Sequence, residues 1–216
     1  MYEIEKGIRD KSVAAALRKA LTDNAKISET EIKAILKSTL DGKGSNRVND
    51  NEYHDLMMIL RKSKSITEQS RRLMIDFIAK HYMMKGPYAY SKVDDLEGKP
   101  KAFSGECAGI VQWYTKVGLA RNWRQGITVK GNGSKIRKGT AIATFIDGFY
   151  PNLPHGNHAA LYISQNAKGI LVMDQWSGPS KPSISSRRMM FKGKKSDGTF
   201  VDPSNNGDAL SVIMTR

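Results

Sequence analysis

The segment Gly105-Glu-Cys-Ala-Gly-Ile-Val-Gln112 is the part of the chain from which both the fold and the chemistry are inferred. Apolar residues continue at helical spacing to Val117, which predicts a helix that begins near Cys107. The first turn of a helix presents unpaired N–H groups and the positive end of the helix dipole, and both lower the pKa of a thiol. Cys107 is the only cysteine in the chain, so an internal disulfide is excluded. The sequence predicts a nucleophile here, with a buried structural cysteine as the alternative.

His158 supplies the second half of this predicted pair. It begins a predicted strand roughly fifty residues after the cysteine, and such partners meet in space rather than in sequence. A third polar group should accept the other imidazole N–H. The next strand ends in Asp174 and Gln175, which point to opposite faces, so that only one of them can do this. A hairpin that pairs Gln165 with Ile170 favours Gln175, whereas an odd-length turn or a bulge favours Asp174.

The rest of the chain divides into two regions. Residues 9–82 carry apolar residues at helical spacing in four successive stretches, which predicts a helical region over residues 1–85. From about residue 86, glycine, proline and serine become more frequent, and short apolar runs alternate with turns. Predicted strands lie at residues 140–145, 158–163, 169–174 and 210–214. The sequence therefore predicts an α+β domain over residues 86–216 after a small all-helical region.

Within the helical region, residues 41–52 resemble an EF-hand calcium loop. Asp41, Ser45 and Glu52 occupy positions one, five and twelve of that pattern. Lys43, however, places an ammonium group where calcium requires an oxygen ligand. We therefore expect a degenerate helix–loop–helix that is kept for packing, with calcium binding as the alternative.

The composition restricts the possible partners. The net charge is +14, and residues 101–216 contribute +10 of it, from 16 basic and 6 acidic side chains. Such an excess favours nucleic acid, anionic membrane or a cell-wall polymer as partner. No nucleic-acid-binding signature occurs, no apolar run reaches the length of a membrane span, and the charged first residues lack the core of a signal peptide. His155 and His158 have no third ligand nearby, so neither a metal nor a cofactor is expected.

Four motifs in this half of the chain occur in the order of a known family. Residues 86–216 resemble the NlpC-type cell-wall peptidases, which are papain-like cysteine hydrolases of peptidoglycan peptides. The resemblance is carried by Gly86-Pro-Tyr-Ala-Tyr90, Glu106-Cys-Ala-Gly-Ile-Val-Gln112, Arg137-Lys-Gly-Thr-Ala-Ile-Ala-Thr-Phe145 and His158-Ala-Ala-Leu-Tyr-Ile-Ser164. Thr140 and the Ser91-Lys92 pair depart from the family pattern and leave the substrate register open.

The resemblance implies a role for each matching residue. Cys107 would be the nucleophile, His158 the general base and Asp174 the residue that orients it. Tyr88 matches a tyrosine near the oxyanion, with a core aromatic as the alternative. The implied fold is papain-like, with the helix that carries Cys107 packed on an antiparallel sheet. The implied reaction is cleavage of an amide bond in a peptidoglycan stem peptide, and the sequence does not choose which bond.

The first residues lack the pattern of a signal peptide, and this bears on how the protein is expected to reach the cell wall. The chain resembles the amidase effectors that type VI secretion delivers into the periplasm of a target cell. That resemblance implies two protein partners, an immunity protein and a component of the secretion machinery. Two other functions stay open at this stage: an acyltransferase or deamidase that acts on a protein, and a polyanion-binding module without catalytic activity.

Overall fold

The chain forms two compact units, Met1–Met84 and Lys85–Arg216. The computed structural model describes residues 7–22, 26–40, 47–61, 66–82 and 84–216. Within these ranges, no helix is both long enough and apolar enough to cross a membrane.

The first unit consists of helices. They are α1 (Lys11–Ala20), α2 (Glu29–Ser38), α3 (Asp50–Arg61) and α4 (Glu68–His81). Ser28 and Glu31 form a reciprocal capping box at the start of α2, as the sequence pattern predicts, because each side chain accepts a hydrogen bond from the other residue's backbone N–H. The apolar faces of these helices form the core of the unit, with Leu17, Ile35 and Leu56 fully or almost fully buried.

The EF-hand-like stretch is described only in part. Asp41, Lys43 and Ser45 lie outside the described residues, so the calcium alternative stays untested. Glu52 is described and is 1 % exposed. Its carboxylate accepts a hydrogen bond from the backbone N–H of Asn49 (2.6 Å), and the Asn49 side chain accepts one from the N–H of Glu52 (3.0 Å). Glu52 therefore caps α3 in the same way that Glu31 caps α2.

The second unit packs one helix on a six-stranded antiparallel sheet. The helix is α5 (Cys107–Thr115), and the strands are β1 (Trp123–Thr128), β2 (Ala141–Thr144), β3 (Ala159–Gln165), β4 (Gly169–Asp174), β5 (Ser185–Met190) and β6 (Leu210–Thr215), in the spatial order β1-β6-β2-β3-β4-β5. Successive residues of β3 alternate between two cores. Ala159 and Leu161 lie in the core that includes Ile110 and Val111 of α5, whereas Ala160 and Tyr162 lie in the core on the opposite face.

The α+β class and the helix at Cys107 are confirmed, and each of the four predicted strands overlaps a strand of the sheet. The sequence did not predict β1 or β5, which form the two edges. Both lack a continuous apolar run, and β5 has the sequence Ser-Ser-Arg-Arg-Met-Met. An edge strand has only one neighbour, so it needs fewer apolar residues than a central strand.

The hairpin between β3 and β4 determines whether Asp174 or Gln175 lies on the same face of the sheet as His158. Gln165 pairs with Ile170, and the register then shifts between Tyr162 and Ser164. A bulge of one residue exchanges the faces of all the positions beyond it. Asp174 therefore lies on the same face of the sheet as His158, which directly precedes β3.

Candidate active site

Cys107 is the first residue of α5, and Glu106 precedes it as the N-cap without a side-chain capping bond. The residue is partly exposed. It lies within hydrogen-bonding reach of the His158 ring, of the Tyr150 hydroxyl and of the backbone N–H of Ala159. The nucleophile and the base that the sequence predicted are thus brought together, with two further donors around the sulfur.

Gln175 holds the loop that precedes Cys107. Its side-chain oxygen accepts a hydrogen bond from the N–H of Ala102 (2.7 Å), and its amide nitrogen donates to the carbonyls of Ala102 (2.9 Å) and Glu106 (2.8 Å). The side chain is fully buried, so these bonds replace its hydration. Gly109 allows the close approach, because a Cβ there would lie 3.2 Å from the Gln175 amide nitrogen and 3.0 Å from the carbonyl oxygen of Ala102.

His158 and Asp174 form a buried pair at the ends of neighbouring strands. The distance from Nε2 of the imidazole to Oδ2 of the carboxylate is 2.7 Å, and the two residues are 4 % and 0 % exposed. This bond leaves Nδ1 for the thiol. The backbone of His158 is fixed to β2, because its N–H donates to Oγ1 of Thr144 (3.0 Å) and its carbonyl accepts from the Thr144 N–H (3.0 Å). Asp174, and not Gln175, is therefore the residue in contact with the imidazole.

The charges of the three groups support one another. Burial alone would raise the pKa of the Cys107 thiol, but the hydrogen bond and the charge of His158 lower it below its ordinary value. Burial likewise opposes the imidazolium, yet the bonds to Asp174 and Cys107 raise the pKa of His158 above its usual range. These opposite shifts favour the thiolate–imidazolium ion pair over the neutral pair of thiol and imidazole.

A tyrosine that the sequence analysis missed lies beside the sulfur. The hydroxyl of Tyr150 is 3.7 Å from Sγ of Cys107 and accepts a hydrogen bond from Nδ2 of Asn157 (3.1 Å). Burial raises the pKa of Tyr150, and the neighbouring Cys107 charge adds to this, so the phenol stays protonated as a donor. Tyr150 belongs to a loop without any of the family motifs, so no sequence signal marked it.

Tyr88, which the resemblance places near the oxyanion, contacts the last strand of the sheet through its hydroxyl. Its hydroxyl forms a hydrogen bond with Oγ1 of Thr215 (2.6 Å), and the ring packs against the core on the α5 side of the sheet. The backbone carbonyl of Tyr88 accepts a bond from the N–H of Ala141 (2.8 Å), which ties the entry motif to β2. An oxyanion role for Tyr88 remains a prediction.

Two cations contact Asp174 from outside the predicted triad. Nζ of Lys181 is 2.8 Å from Oδ1, and Nε of Arg187 donates to Oδ2 at 2.7 Å. Burial disfavours the carboxylate, but His158 and the two cations lower the pKa of Asp174 to about 2. The carboxylate therefore keeps its charge in spite of its complete burial.

The three tryptophans have different environments. Trp123 is fully buried, whereas Trp113 is about half exposed. Trp176 presents its ring edge-on to His158, with 6.4 Å between the ring centroids. In the described ranges, no group of three histidine, cysteine or acidic side chains is arranged to hold a metal ion, and this includes the surroundings of His155.

The buried carboxylate predicts an acid-dependent loss of stability. The pKa of Asp174 is about 2 in the folded chain against an ordinary value of 3.8, so its contribution is present above pH 4 and is lost as the pH falls through 2. We expect the free energy of unfolding from this group to fall by about 2 kcal/mol between pH 5 and pH 2. Urea denaturation of the wild type and Asp174→Asn across this range measures it.

The matched control for that experiment is Asp95→Asn, which changes an exposed carboxylate of the same unit. The Asp95→Asn protein should retain the acid dependence of the wild type, and the Asp174→Asn protein should lose most of it. Equal acid dependence in all three proteins would contradict the charged, ion-paired state of Asp174.

Comparisons with known proteins identify the family of the chain. The sequence model of the family described as domesticated amidase effector 2 matches residues 79–213. A type VI secretion amidase effector 2 protein of Salmonella typhi is 42 % identical over 132 residues, which cover 59 % of this chain and 98 % of the relative. A domesticated amidase effector 2 of Ixodes scapularis is 35 % identical over 113 residues, which cover 50 % of this chain and 70 % of the relative.

A solved structure gives the same result. The structure of a type 6 secretion amidase effector 2 superposes with a TM-score of 0.57 at 39 % identity, over 61 % of this chain and 96 % of the other. Its fold is papain-like, which confirms the predicted fold of the second unit. Because the family model covers more than half of the sequence, the chain belongs to the amidase effector 2 family.

Proposed function

We propose that the protein is a cysteine amidase that cleaves amide bonds in the stem peptides of peptidoglycan. The observation that carries this proposal is the hydrogen-bonded series of Cys107, His158 and Asp174, with the thiol at a helix N-terminus. Such a series is the arrangement that activates a thiol for acyl transfer. The amidase effector names of the relatives support the same class of reaction.

In the proposed mechanism, the Cys107 thiolate attacks the carbonyl carbon of the scissile amide, and the His158 imidazolium donates its proton to the leaving amine. The C–N bond breaks, and a thioester to the enzyme remains. A water molecule then attacks the thioester while His158 accepts its proton, which releases a carboxylic acid and restores the thiol pair. Asp174 keeps the imidazole oriented during both steps.

The substrate and the place of action are part of the proposal. The net charge of +10 in residues 101–216 suits a carboxylate-rich polymer such as the cell wall. We propose type VI delivery into the periplasm of a target cell, with an immunity protein that protects the producer. We also assign catalysis to residues 86–216 and a role in delivery or inhibition to residues 1–85. Directing the protein to the periplasm or to the cytosol tests this, since toxicity should appear only with the periplasmic form.

Digestion of purified sacculi tests the reaction itself. Wild-type protein should release stem-peptide products that mass spectrometry identifies, with each cleaved amide gaining one water. The Cys107→Ser protein, with one atom changed, is the control and should release none. If the wild type releases no products but its thiol reacts with an alkylating agent, peptidoglycan is not the substrate. That outcome would favour an acyltransferase or deamidase. An inert thiol would reject the cysteine mechanism as well.

Tyr150 is expected to help hold the thiolate. The N–H of Leu153 donates to Oδ1 of Asn157 (2.7 Å), and this fixes Nδ2 toward the phenol oxygen and leaves the phenol proton for Sγ of Cys107. Tyr150→Phe removes this donor without changing the ring. We expect the pKa of the Cys107 thiol to rise by about one unit, as for loss of one hydrogen bond to a charge. The pH dependence of iodoacetamide alkylation measures the change.

The control is Tyr114→Phe, which removes a hydroxyl from a partly buried tyrosine of α5. Its alkylation profile should overlay that of the wild type. If the Tyr150→Phe profile overlays it too, the phenol makes no contribution to the thiolate.

A further inference from the structure

The carboxylate of Asp174 is surrounded by more positive charge than a Cys–His–Asp series requires. The cation pair, which we define as Lys181 and Arg187, neutralises a single carboxylate that also bonds to His158. Asp174 and the cation pair together carry a formal charge of +1. Both cations contact the carboxylate, which lies at the end of β4. Burying an excess cation costs free energy, so its presence beside a catalytic base calls for a functional explanation.

Both cations are fixed by further contacts. Lys181 is 4 % exposed, and its ammonium group donates to the carbonyl (3.0 Å) and the hydroxyl (2.7 Å) of Ser185. Arg187 uses each of its nitrogens separately. Nε binds Asp174, Nη1 donates to Oδ1 of Asn205 (2.9 Å), and Nη2 lies 3.3 Å from Nε2 of His158. Only the planar guanidinium group can bridge partners in these directions at once.

Trp176 covers the cation pair. Nζ of Lys181 lies 4.7 Å from the centroid of the indole ring, and Cζ of Arg187 lies 5.0 Å from it. The same ring is edge-on to His158. An aromatic ring shields charges from water and strengthens their action on neighbours. The indole ring therefore keeps solvent from the cation pair, and its charge acts on the nearby imidazole with less screening.

These contacts have opposite effects on the imidazole. The groups that face His158 are Cys107 from α5, Asp174 from β4, Arg187 from β5 and, through the carboxylate, Lys181; Tyr150 approaches through the sulfur. Asp174 and the thiolate stabilise the imidazolium, whereas a cation 3.3 Å from the ring destabilises it. An unopposed carboxylate would hold the proton too firmly for transfer to a leaving amine.

We propose that Lys181 and Arg187 are positioning residues that fix the Asp174 carboxylate and, by offsetting its charge, keep the His158 imidazolium acidic enough to protonate the leaving group. The inference rests on the proposed function for the identity of the leaving group, but the electrostatic part concerns the ring alone. Arg187 sets both the orientation of the carboxylate, through Nε, and the charge beside the ring, through Nη2. The two effects are separable by substitution.

Arg187→Gln removes the positive charge. Arg187→Lys keeps the charge but loses the planar guanidinium group that bridges several partners. NMR titration of the imidazole in each protein reports the pKa of His158, with the signal identified by its absence in His158→Ala. We expect Arg187→Gln to raise this pKa by about one unit. The alkaline limb of the pH profile of kcat/KM should move to higher pH by the same amount. We expect Arg187→Lys to leave the pKa nearly unchanged and to lower kcat about 10- to 100-fold at similar KM, because the base is less well oriented.

Arg188→Gln is the matched control, since Arg188 is the next residue of β5 and is exposed. It should behave as the wild type in both measurements. If Arg187→Gln does not fold, Lys181→Gln removes the other cation and should also raise the pKa of His158. An unchanged or lowered His158 pKa in the folded charge-removing variant would overturn the inference. Because NMR needs no substrate, a shifted pKa in a protein that does not cleave peptidoglycan would reject the proposed function and leave the electrostatic assignment intact.

Discussion

Replacing Cys107 by serine is expected to abolish amide hydrolysis, with a loss of roughly 10⁴- to 10⁶-fold, the size found when a catalytic nucleophile is removed from a triad. The hydroxyl has an ordinary pKa far above that of a thiol, and the surrounding site stabilises a thiolate through His158 rather than deprotonating an alcohol. Product release from sacculi, followed by mass spectrometry, measures the loss.

The same substitution carries its own structural control. Cys107 is the only cysteine, so iodoacetamide should label the wild type at a single site and should not label Cys107→Ser at all. Rapid labelling near neutral pH would show that the thiol is activated, because a structural thiol of ordinary pKa reacts slowly there. Hydrolysis that survives in the serine protein, with the melting temperature unchanged, would contradict the assignment of the nucleophile.

Replacing His158 by alanine is expected to have the second largest effect. The loss of the proton donor and acceptor should lower kcat by about 10²- to 10⁴-fold. The loss of the imidazolium should also return the pKa of the Cys107 thiol toward its ordinary range, because the contacts with His158 are the principal groups that lower it. Hydrolysis and the pH profile of alkylation should therefore change together, which distinguishes His158 from a residue that contacts only substrate.

His155→Ala is the matched control, because His155 is an exposed histidine three positions earlier in the same loop. It should retain both the hydrolysis rate and the alkylation profile of the wild type. A His158→Ala protein with normal thiol reactivity but no hydrolysis would show that the histidine acts on substrate without activating Cys107.

The features that the sequence predicted are those that depend on local pattern. The start of α5 follows from a short apolar run after Gly105, and β3 and β4 follow from apolar runs long enough for central strands. The cores on the two sides of the sheet repeat the alternation along these strands. Cys107 and His158 were predicted because each stands at the start of such an element.

The features that the sequence did not predict depend on contacts between distant residues. The strand pattern left open whether Asp174 or Gln175 meets the imidazole, and only the family resemblance favoured Asp174, because the choice depends on one bulge between Tyr162 and Ser164 that no residue type marks. Arg187 lies on an edge strand without an apolar run, and its contact with Asp174 requires the pairing of β4 with β5. Tyr150 follows Phe149, which forms an isolated bridge with Arg124 of β1. Each of these positions follows from tertiary structure rather than from local propensity.

The adjacent side chains of Asp174 and Gln175 have a consequence for the chain before it folds. Asp174 contacts the imidazole of His158 and Gln175 holds the loop that precedes Cys107, so both residues of the proposed pair are positioned from the end of a single strand. In an extended chain, the thiol has neither imidazole nor helix beside it and is an ordinary, mostly protonated cysteine at neutral pH. The reactivity that we propose for Cys107 therefore arises only when the second unit folds.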